Sequence, residues 1–122
     1  MTEVLCPSIL PRLLKYDEDS GRLHWLARSP SDFVETAKRG AVHQCNNWNS
    51  HYAEQVAFHY VGPDGYLQGA IFRKLYKAHR VVWGLIHGAW PEGLIDHIDG
   101  DRSNNRPHNL RCVNQTDNAR NN

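Results

Sequence analysis

The chain has 122 residues, 40% of them hydrophobic and four of them tryptophan, which is enough apolar material for one folded unit and argues against a disordered chain. No apolar run approaches the length of a membrane span, and the N-terminus lacks the basic-then-apolar pattern of a signal peptide. We therefore expect a cytoplasmic protein with no membrane partner, in which Cys6, Cys45 and Cys112 are reduced thiols.

The net charge of +1 conceals an asymmetry between the two halves of the chain. Residues 1–64 contain six Lys or Arg and eight Asp or Glu, a net charge of −2. Residues 65–122 contain eight Lys or Arg and five Asp or Glu, a net charge of +3. Because phosphate contacts supply much of the affinity for nucleic acids, the C-terminal half could dock DNA. An ordinary mixed-charge surface has the same composition, so the charge permits this function without indicating it.

The predicted elements of the N-terminal half are short. Ser8 is a residue type that caps helices, and the apolar residues after it predict a brief helix. Residues 17–21 have the composition of a turn, residues 22–26 alternate like a strand, and from residue 27 to about residue 50 a weak pattern predicts a long loop. The next segments are predicted as strands around one Gly- and Pro-rich turn: strand 56–61, turn 62–65, strand 66–71 and strand 75–78.

The C-terminal half predicts a helix, two strands and a last helix. Residues 79–87 carry apolar side chains at helical spacing, and Gly88 suits the C-terminal end of that helix. The remaining elements surround a polar loop: strand 94–98, loop 99–107, strand 110–113 and a helix that begins at Asn114 or Thr116.

Four polar residues fall on this strand, loop, strand and helix arrangement. Asp96 and His97 are adjacent on a strand, so their side chains should point to opposite faces. Asn109 follows His97 by twelve positions, and Asn118 follows nine positions later. Asp96 and Asn118 could hold Mg²⁺, a hard ion that accepts few protein ligands and many waters. His97 could take a proton from an attacking water, with Asn109 fixing the loop or the orientation of the imidazole.

These residues resemble the HNH endonucleases, which have the ββα-metal or His-Me finger fold, and in particular the phage- and intron-encoded, homing-type members. The resemblance implies that His97 is the general base, that Asp96 and Asn118 bind the metal, and that Asn109 holds the hairpin that presents the histidine. It is carried by residues 76–80 and by four motifs: Asp96-His97-Ile98-Asp99-Gly100, Asn104-Asn105-Arg106-Pro107, Asn109-Leu110-Arg111 and Asn118-Ala119-Arg120-Asn121.

We therefore expect an α+β fold, with a small N-terminal antiparallel β-sheet subdomain at residues 1–77 and a C-terminal ββα-metal unit at residues 78–122. The implied activity is hydrolysis of phosphodiester bonds in double-stranded DNA to 5′-phosphate and 3′-hydroxyl ends, with Mg²⁺, Mn²⁺ or another divalent cation, in the host cytoplasm if the protein is phage-encoded. The N-terminal strands and residues 27–50 would contact the duplex. Further DNA contacts are predicted for five arginines: Arg80, Arg102, Arg106, Arg111 and Arg120.

Two other functions fit the same residues. One is a catalytically inactive DNA-binding module on the same scaffold, and the other is a structural or interaction protein without metal dependence or DNA affinity. A calcium loop from residue 99 is rejected, because Asn104 and Leu110 stand where that motif requires Gly and Glu. Structural zinc is not predicted either, since the candidate ligands lack a paired Cys-x-x-Cys spacing: His43, Cys45, His51 and His59.

Overall fold

The computed structural model describes residues 3–113. Over this range the chain forms three α-helices, three 3₁₀ turns and eight strands. The strands make two three-stranded sheets and one two-stranded sheet, all antiparallel, so the predicted α+β class is confirmed. Asn118, Arg120 and the predicted last helix lie outside the described residues.

The N-terminal segment builds the first sheet. A 3₁₀ turn at Pro7–Ile9 leads into helix α1, Leu10–Leu13. The predicted capping role of Ser8 is wrong, because Ser8 lies inside the 3₁₀ turn and Cys6 occupies the N-cap position without a side-chain bond. The sheet that follows has the order β1, β2, β3, with β1 at Leu14–Asp17, β2 at Arg22–Trp25 and β3 at Val56–Ala57.

Helix α2, Ala41–Tyr52, begins inside the segment predicted as a long loop and occupies its residues 41–50, so that prediction is wrong. The helix has no strong apolar periodicity, since Cys45 is its one buried residue. It is held by contacts from outside the helix. The ring of Trp48 lies 5.6 Å from that of Trp25, edge to face, and the side chain of Asn49 bonds to the backbone N–H and C=O of Arg28 at 2.8 and 3.0 Å.

The single strand predicted at residues 56–61 is two strands in two different sheets. Phe58 has a positive φ of 58°, which turns the chain between β3 and β4, Tyr60–Val61. The Phe58 side chain is buried and packs on Gly69, where a Cβ would lie 2.9 Å from the Phe58 ring. The second sheet has the order β4, β5, β6, with β5 at Leu67–Ile71 and β6 at Lys74–Lys77.

Helix α3, Ala78–His87, confirms the helix predicted from apolar spacing. Gly88 ends it with a left-handed φ of 71°, a conformation that glycine adopts without steric cost. The last described elements are strand β7, Leu94–His97, a 3₁₀ turn at Pro107–Asn109 and strand β8, Leu110–Val113. Strands β7 and β8 form an antiparallel hairpin, as predicted.

One hydrophobic core connects the two ends of the described chain. Leu10 and Leu13 of α1 are fully buried, as are Val81 and Val82 of α3, and these residues belong to the same cluster as Ile95 and Leu110 of the β7–β8 hairpin.

The predicted domain boundary between residues 77 and 78 falls between β6 and α3 and stays a prediction. Among the described residues, no helix combines the length and the apolar character that a membrane span requires.

Candidate active site

Strand β7 presents Asp96 and His97 on opposite sides of the hairpin. In the register of the two strands, Asp96 pairs with Arg111 and His97 pairs with Leu110. His97 is 6% exposed and faces the interior, whereas the Asp96 side chain is 45% exposed and bonds to Arg111 Nη2 at 2.5 Å. The pleat of the strand thus points the two side chains to opposite faces, as predicted, with the imidazole inside the fold and the carboxylate at its surface.

Asn109 closes the loop between the two strands. Its side chain is buried, with 3% exposure. Oδ1 accepts the backbone N–H of Asp99 at 2.9 Å, while Nδ2 donates to the Asp99 carboxylate at 2.9 Å and to the Asn104 carbonyl at 2.8 Å. Hydrogen bonds from the Asn104 side chain, the Asp101 backbone N–H and the Asn109 side chain hold the pKa of Asp99 below its usual value. These contacts are structural, and the catalytic importance of Asn109 stays a prediction.

Asn105 contacts the proposed base directly. Its side chain is 2% exposed, and its Oδ1 lies 2.8 Å from His97 Nε2. In the sequence, Asn105 is one of two neighbouring asparagines in a polar loop, and nothing local distinguishes it from Asn104. Only the folded loop turns one of the two toward the histidine, so its contact with His97 could not be predicted from the sequence.

Two further rings surround His97. The ring of His79 on α3 lies 5.1 Å from that of His97, edge to face, and the ring of Tyr66 lies 5.7 Å from His97. His79 is 6% exposed, and its Nδ1 is buried without a hydrogen-bond partner among residues 3–113. Burial, with a smaller contribution from His97, lowers the pKa of His79 to about 3. His79 is therefore a neutral neighbour of His97 at physiological pH.

The buried neutral state of His79 predicts acid sensitivity. Its pKa in the folded protein, about 3, is below the ordinary value of 6.5, so the unfolded chain binds the proton more tightly. The stability that His79 contributes is present above pH 6.5 and is lost as the pH falls toward 3. In the wild type, the free energy of unfolding should therefore fall between pH 7 and pH 4. We expect this fall to be smaller in His79→Leu, by up to a few kcal/mol.

Urea unfolding of both proteins across this pH range measures the effect. His108→Ala is the matched control, because His108 is exposed and should leave the pH dependence as it is in the wild type. Parallel pH dependences for wild type and His79→Leu would contradict the prediction.

Basic side chains lie beside this ring cluster. The Arg102 guanidinium is 4.9 Å from the centre of the Tyr66 ring and donates to the Asp64 carbonyl at 2.5 Å. Lys77 Nζ lies 5.9 Å from the same ring and pairs with the Asp64 carboxylate. Two cations thus lie beside Tyr66, whose ring neighbours that of His97.

The other predicted DNA-binding arginines have different surroundings. Arg106 donates to the Asp19 carbonyl at 2.7 Å, and Arg111 pairs with Asp96. The Arg80 side chain is 18% exposed and pairs with Glu3, and it also bonds to backbone carbonyls at residues 91 and 93. The DNA contact of Arg80 stays a prediction.

Of the two predicted metal ligands, the structure describes one, the Asp96 carboxylate. Asp96 offers the hard oxygen donor that Mg²⁺ prefers, at the end of a strand and open to solvent. The second predicted ligand, Asn118, lies outside the described residues. Within residues 3–113 no group of three or more His, Cys, Asp or Glu is placed to hold a metal ion. A site made of one carboxylate, one amide and water does not require such a group.

Comparison with known proteins relates the C-terminal part of the chain to a known family. Residues 76–120 match a family model described as HNH endonuclease. The fold is similar to that of a solved structure with the description "DNA binding and cleavage by the HNH homing endonuclease I-HmuI". The TM-score is 0.52 and the sequence identity is 24%, and the match covers 89% of this chain and 51% of that one. This chain thus spans about half the length of that protein. No curated protein matches the sequence. Residues 76–120 are therefore similar to the HNH endonuclease family, within a fold that is similar to that of a solved HNH endonuclease.

Proposed function

We propose that this chain is a DNA endonuclease that hydrolyses phosphodiester bonds with the help of a divalent metal ion. The observation that carries the proposal is the pair at the end of β7: a buried His97, anchored through Nε2, beside a solvent-facing Asp96 carboxylate. The match of residues 76–120 to the HNH endonuclease model supports the reaction class. The fold shared with a DNA-cleaving homing endonuclease supports DNA as the substrate.

His97 acts as the general base in this proposal. The ring nitrogen that does not face Asn105 accepts a proton from the water that attacks the scissile phosphate. The interior position of the ring limits its rotation, since Asn105, His79 and Tyr66 contact or surround it. A base held in one orientation loses less entropy when the substrate arrives, which lowers the barrier of the chemical step.

Asp96 and Asn118 would hold the metal ion, with Mg²⁺ as the first candidate and Mn²⁺ or another divalent ion as alternatives. When bound, the ion would stabilise negative charge on the phosphate and on the departing oxygen. Asp96 suits this role because its carboxylate is accessible and is linked to the base by one peptide bond. Cleavage on the 3′-oxygen side of the phosphate leaves 5′-phosphate and 3′-hydroxyl ends.

Double-stranded DNA is proposed to lie across the edge formed by the β7–β8 hairpin and the turn at residues 62–65, which precedes Tyr66. Arg102 and Lys77 lie beside Tyr66, whose ring neighbours that of His97, and would contact phosphates near the cut. Arg111, with 57% of its side chain exposed, would contact the DNA backbone beside Asp96. Arg106 and Arg120 are proposed as further phosphate contacts, and the segments before residue 60 as a source of sequence preference.

We expect the purified protein to cut supercoiled plasmid when Mg²⁺ or Mn²⁺ is present and to leave it intact in EDTA. A plasmid pool with random inserts should be used, so that a sequence preference does not hide the activity. Agarose gels distinguish nicked from linear product. Resealing of the product by DNA ligase without prior phosphorylation tests for 5′-phosphate and 3′-hydroxyl ends.

Two outcomes would contradict the proposal, and each indicates one of the other functions. A gel-shift of the DNA without any cleavage in either metal indicates an inactive DNA-binding module. Neither binding nor cleavage indicates a structural or interaction protein.

A further inference from the structure

We propose that Asn105 is a positioning residue that determines which nitrogen of the His97 ring carries the hydrogen, and that the N-terminal β1–β2 hairpin holds Asn105 in place. The catalytic consequence rests on the proposed function of His97 as the base. The hydrogen position itself is a property of the folded protein and can be measured without DNA or metal.

The hydrogen bond between Asn105 and His97 is buried, and the two side chains have few alternative hydrogen-bond partners. Both side chains are at least 94% buried, and Oδ1 and Nε2 are 2.8 Å apart. A carboxamide oxygen only accepts hydrogen bonds, so Nε2 must donate. The neutral imidazole then carries its hydrogen on Nε2 and leaves Nδ1 as the free base. A buried polar group without its partner costs about 1–3 kcal/mol, which penalises the other tautomer.

No other described group competes for this role. Among residues 3–113, Asn105 is the side chain that hydrogen-bonds to the His97 ring. The other titratable groups of the surroundings are His79 on α3, Tyr66 before β5, and Asp99 and Asp101 in the same loop. His79 and Tyr66 contact the ring through their faces and edges, while Asp99 bonds to Asn104 and Asn109 and Asp101 bonds to Ser103.

A residue of the N-terminal sheet holds the backbone of Asn105. The Tyr16 hydroxyl on β1 donates a hydrogen bond to the Asn105 carbonyl. Burial raises the pKa of Tyr16 to about 12, so the hydroxyl keeps its hydrogen and remains a donor at any physiological pH. A residue 89 positions away in sequence therefore sets the position of the loop that contacts the base.

The turn that follows β1 packs on the same backbone. A Cβ at Gly21 would lie 2.7 Å from Arg106 N and 2.8 Å from the Asn105 carbonyl carbon, so only a glycine allows this approach, and its φ of 74° also favours glycine. Arg106 Nε donates to the Asp19 carbonyl at 2.7 Å from the other side. Tyr16, Gly21 and Asp19 together hold residues 105–106 against the hairpin.

The test compares wild type with three variants. Asn105→Leu has a similar volume and no acceptor, Asn105→Asp keeps an acceptor oxygen, and Tyr16→Phe removes only the hydroxyl. Asn104→Ala is the control, because it disturbs the same loop through Asp99 and leaves the His97 contact in place. Proton and nitrogen NMR of metal-free, ¹⁵N-histidine-labelled protein at neutral pH detects which ring nitrogen of His97 carries a slowly exchanging hydrogen.

We expect a resolved Nε2–H signal in wild type, Asn105→Asp and Asn104→Ala, loss of that signal in Asn105→Leu, and faster exchange in Tyr16→Phe. In single-turnover cleavage we expect Asn105→Leu to lower the maximal rate about 10- to 100-fold with little change in DNA affinity, and Asn105→Asp to recover part of that rate. An Nδ1–H signal in wild type, or an unchanged Nε2–H signal in Asn105→Leu, would overturn the proposal.

Two further outcomes are also decisive. If Asn105→Leu does not fold, Tyr16→Phe replaces it, and unchanged Nε2–H exchange in that variant counts against the hairpin's role. If wild type does not cleave DNA at all, the proposed function fails, while the NMR result still decides whether Asn105 sets the hydrogen position.

Discussion

Replacing His97 with alanine is expected to lower the rate of DNA cleavage by about 10²- to 10⁴-fold, which is the usual contribution of a positioned general base. DNA affinity should change little, since His97 is 6% exposed and the cations near the site remain. Single-turnover cleavage of the plasmid pool measures the rate, and a gel-shift in Ca²⁺ or EDTA measures the affinity.

Two controls separate loss of the base from loss of the fold. His97→Ala leaves Asn105 Oδ1 without its buried partner, at a cost of about 1–3 kcal/mol, so thermal unfolding must show that the variant is folded at the assay temperature. His108→Ala removes an exposed histidine from the same hairpin and should cleave like wild type. Restoration of cleavage in His97→Gly by added imidazole would identify the lost group as a base. Equal cleavage by wild type and His97→Ala would contradict the assignment.

Replacing Asn109 is expected to have the largest effect on stability among the polar residues of the site. Asn109→Ala removes three hydrogen bonds of a buried side chain, to the Asp99 N–H, the Asp99 carboxylate and the Asn104 carbonyl. At about 1 kcal/mol for each bond, the free energy of unfolding should fall by about 2–4 kcal/mol. Cleavage should fall as well, because the loop that presents Asn105 to His97 is no longer closed.

Asn109→Asp tests the direction of these bonds. The variant keeps an acceptor for the Asp99 N–H and replaces the donor with a carboxylate next to that of Asp99. Repulsion and burial raise the pKa of the introduced group above its unfolded value, so its destabilising effect grows as the pH rises from the unfolded pKa to the raised pKa of the folded protein. We expect N109D to be no more stable than N109A at pH 7 and to gain on it at pH 5.

Urea unfolding at the two pH values measures both variants against wild type. His108→Ala is again the control, with an expected change within about 0.5 kcal/mol of wild type. An Asn109→Ala variant as stable as this control would show that the loop does not depend on the amide.

Several elements were predictable because their signals are local. Helix α3 has one apolar side and a glycine at its end, and β7 and β8 are short apolar strands around a polar loop. The opposite orientations of Asp96 and His97 also follow from local geometry, because adjacent residues of a strand face opposite sides. The structural role of Asn109 was implied by the resemblance to HNH endonucleases. The α+β class and the positions of Asp96, His97 and Asn109 could therefore be inferred before the fold was known.

Other features depended on contacts between distant segments. Helix α2 has little apolar periodicity and is stabilised by Trp25 and the Arg28 backbone. The positive φ of Phe58 divides a segment that looked like one strand, and its cost is offset by burial of the ring against Gly69. Arg80 looks like any surface cation in the sequence, and only the approach of Glu3 makes it an internal ion pair.

The sequence by itself determined which strand carries the imidazole and the carboxylate of the candidate site, because adjacent residues on one strand are a local pattern. That Asn109 holds the loop behind them was implied by the resemblance to HNH endonucleases. Only the tertiary structure decided how the imidazole is held. Asn105 contacts His97 because Tyr16 and Gly21, more than 80 positions earlier, pack against its backbone. A contact of that sequence separation is fixed by the packing of the whole chain, and no local pattern encodes it.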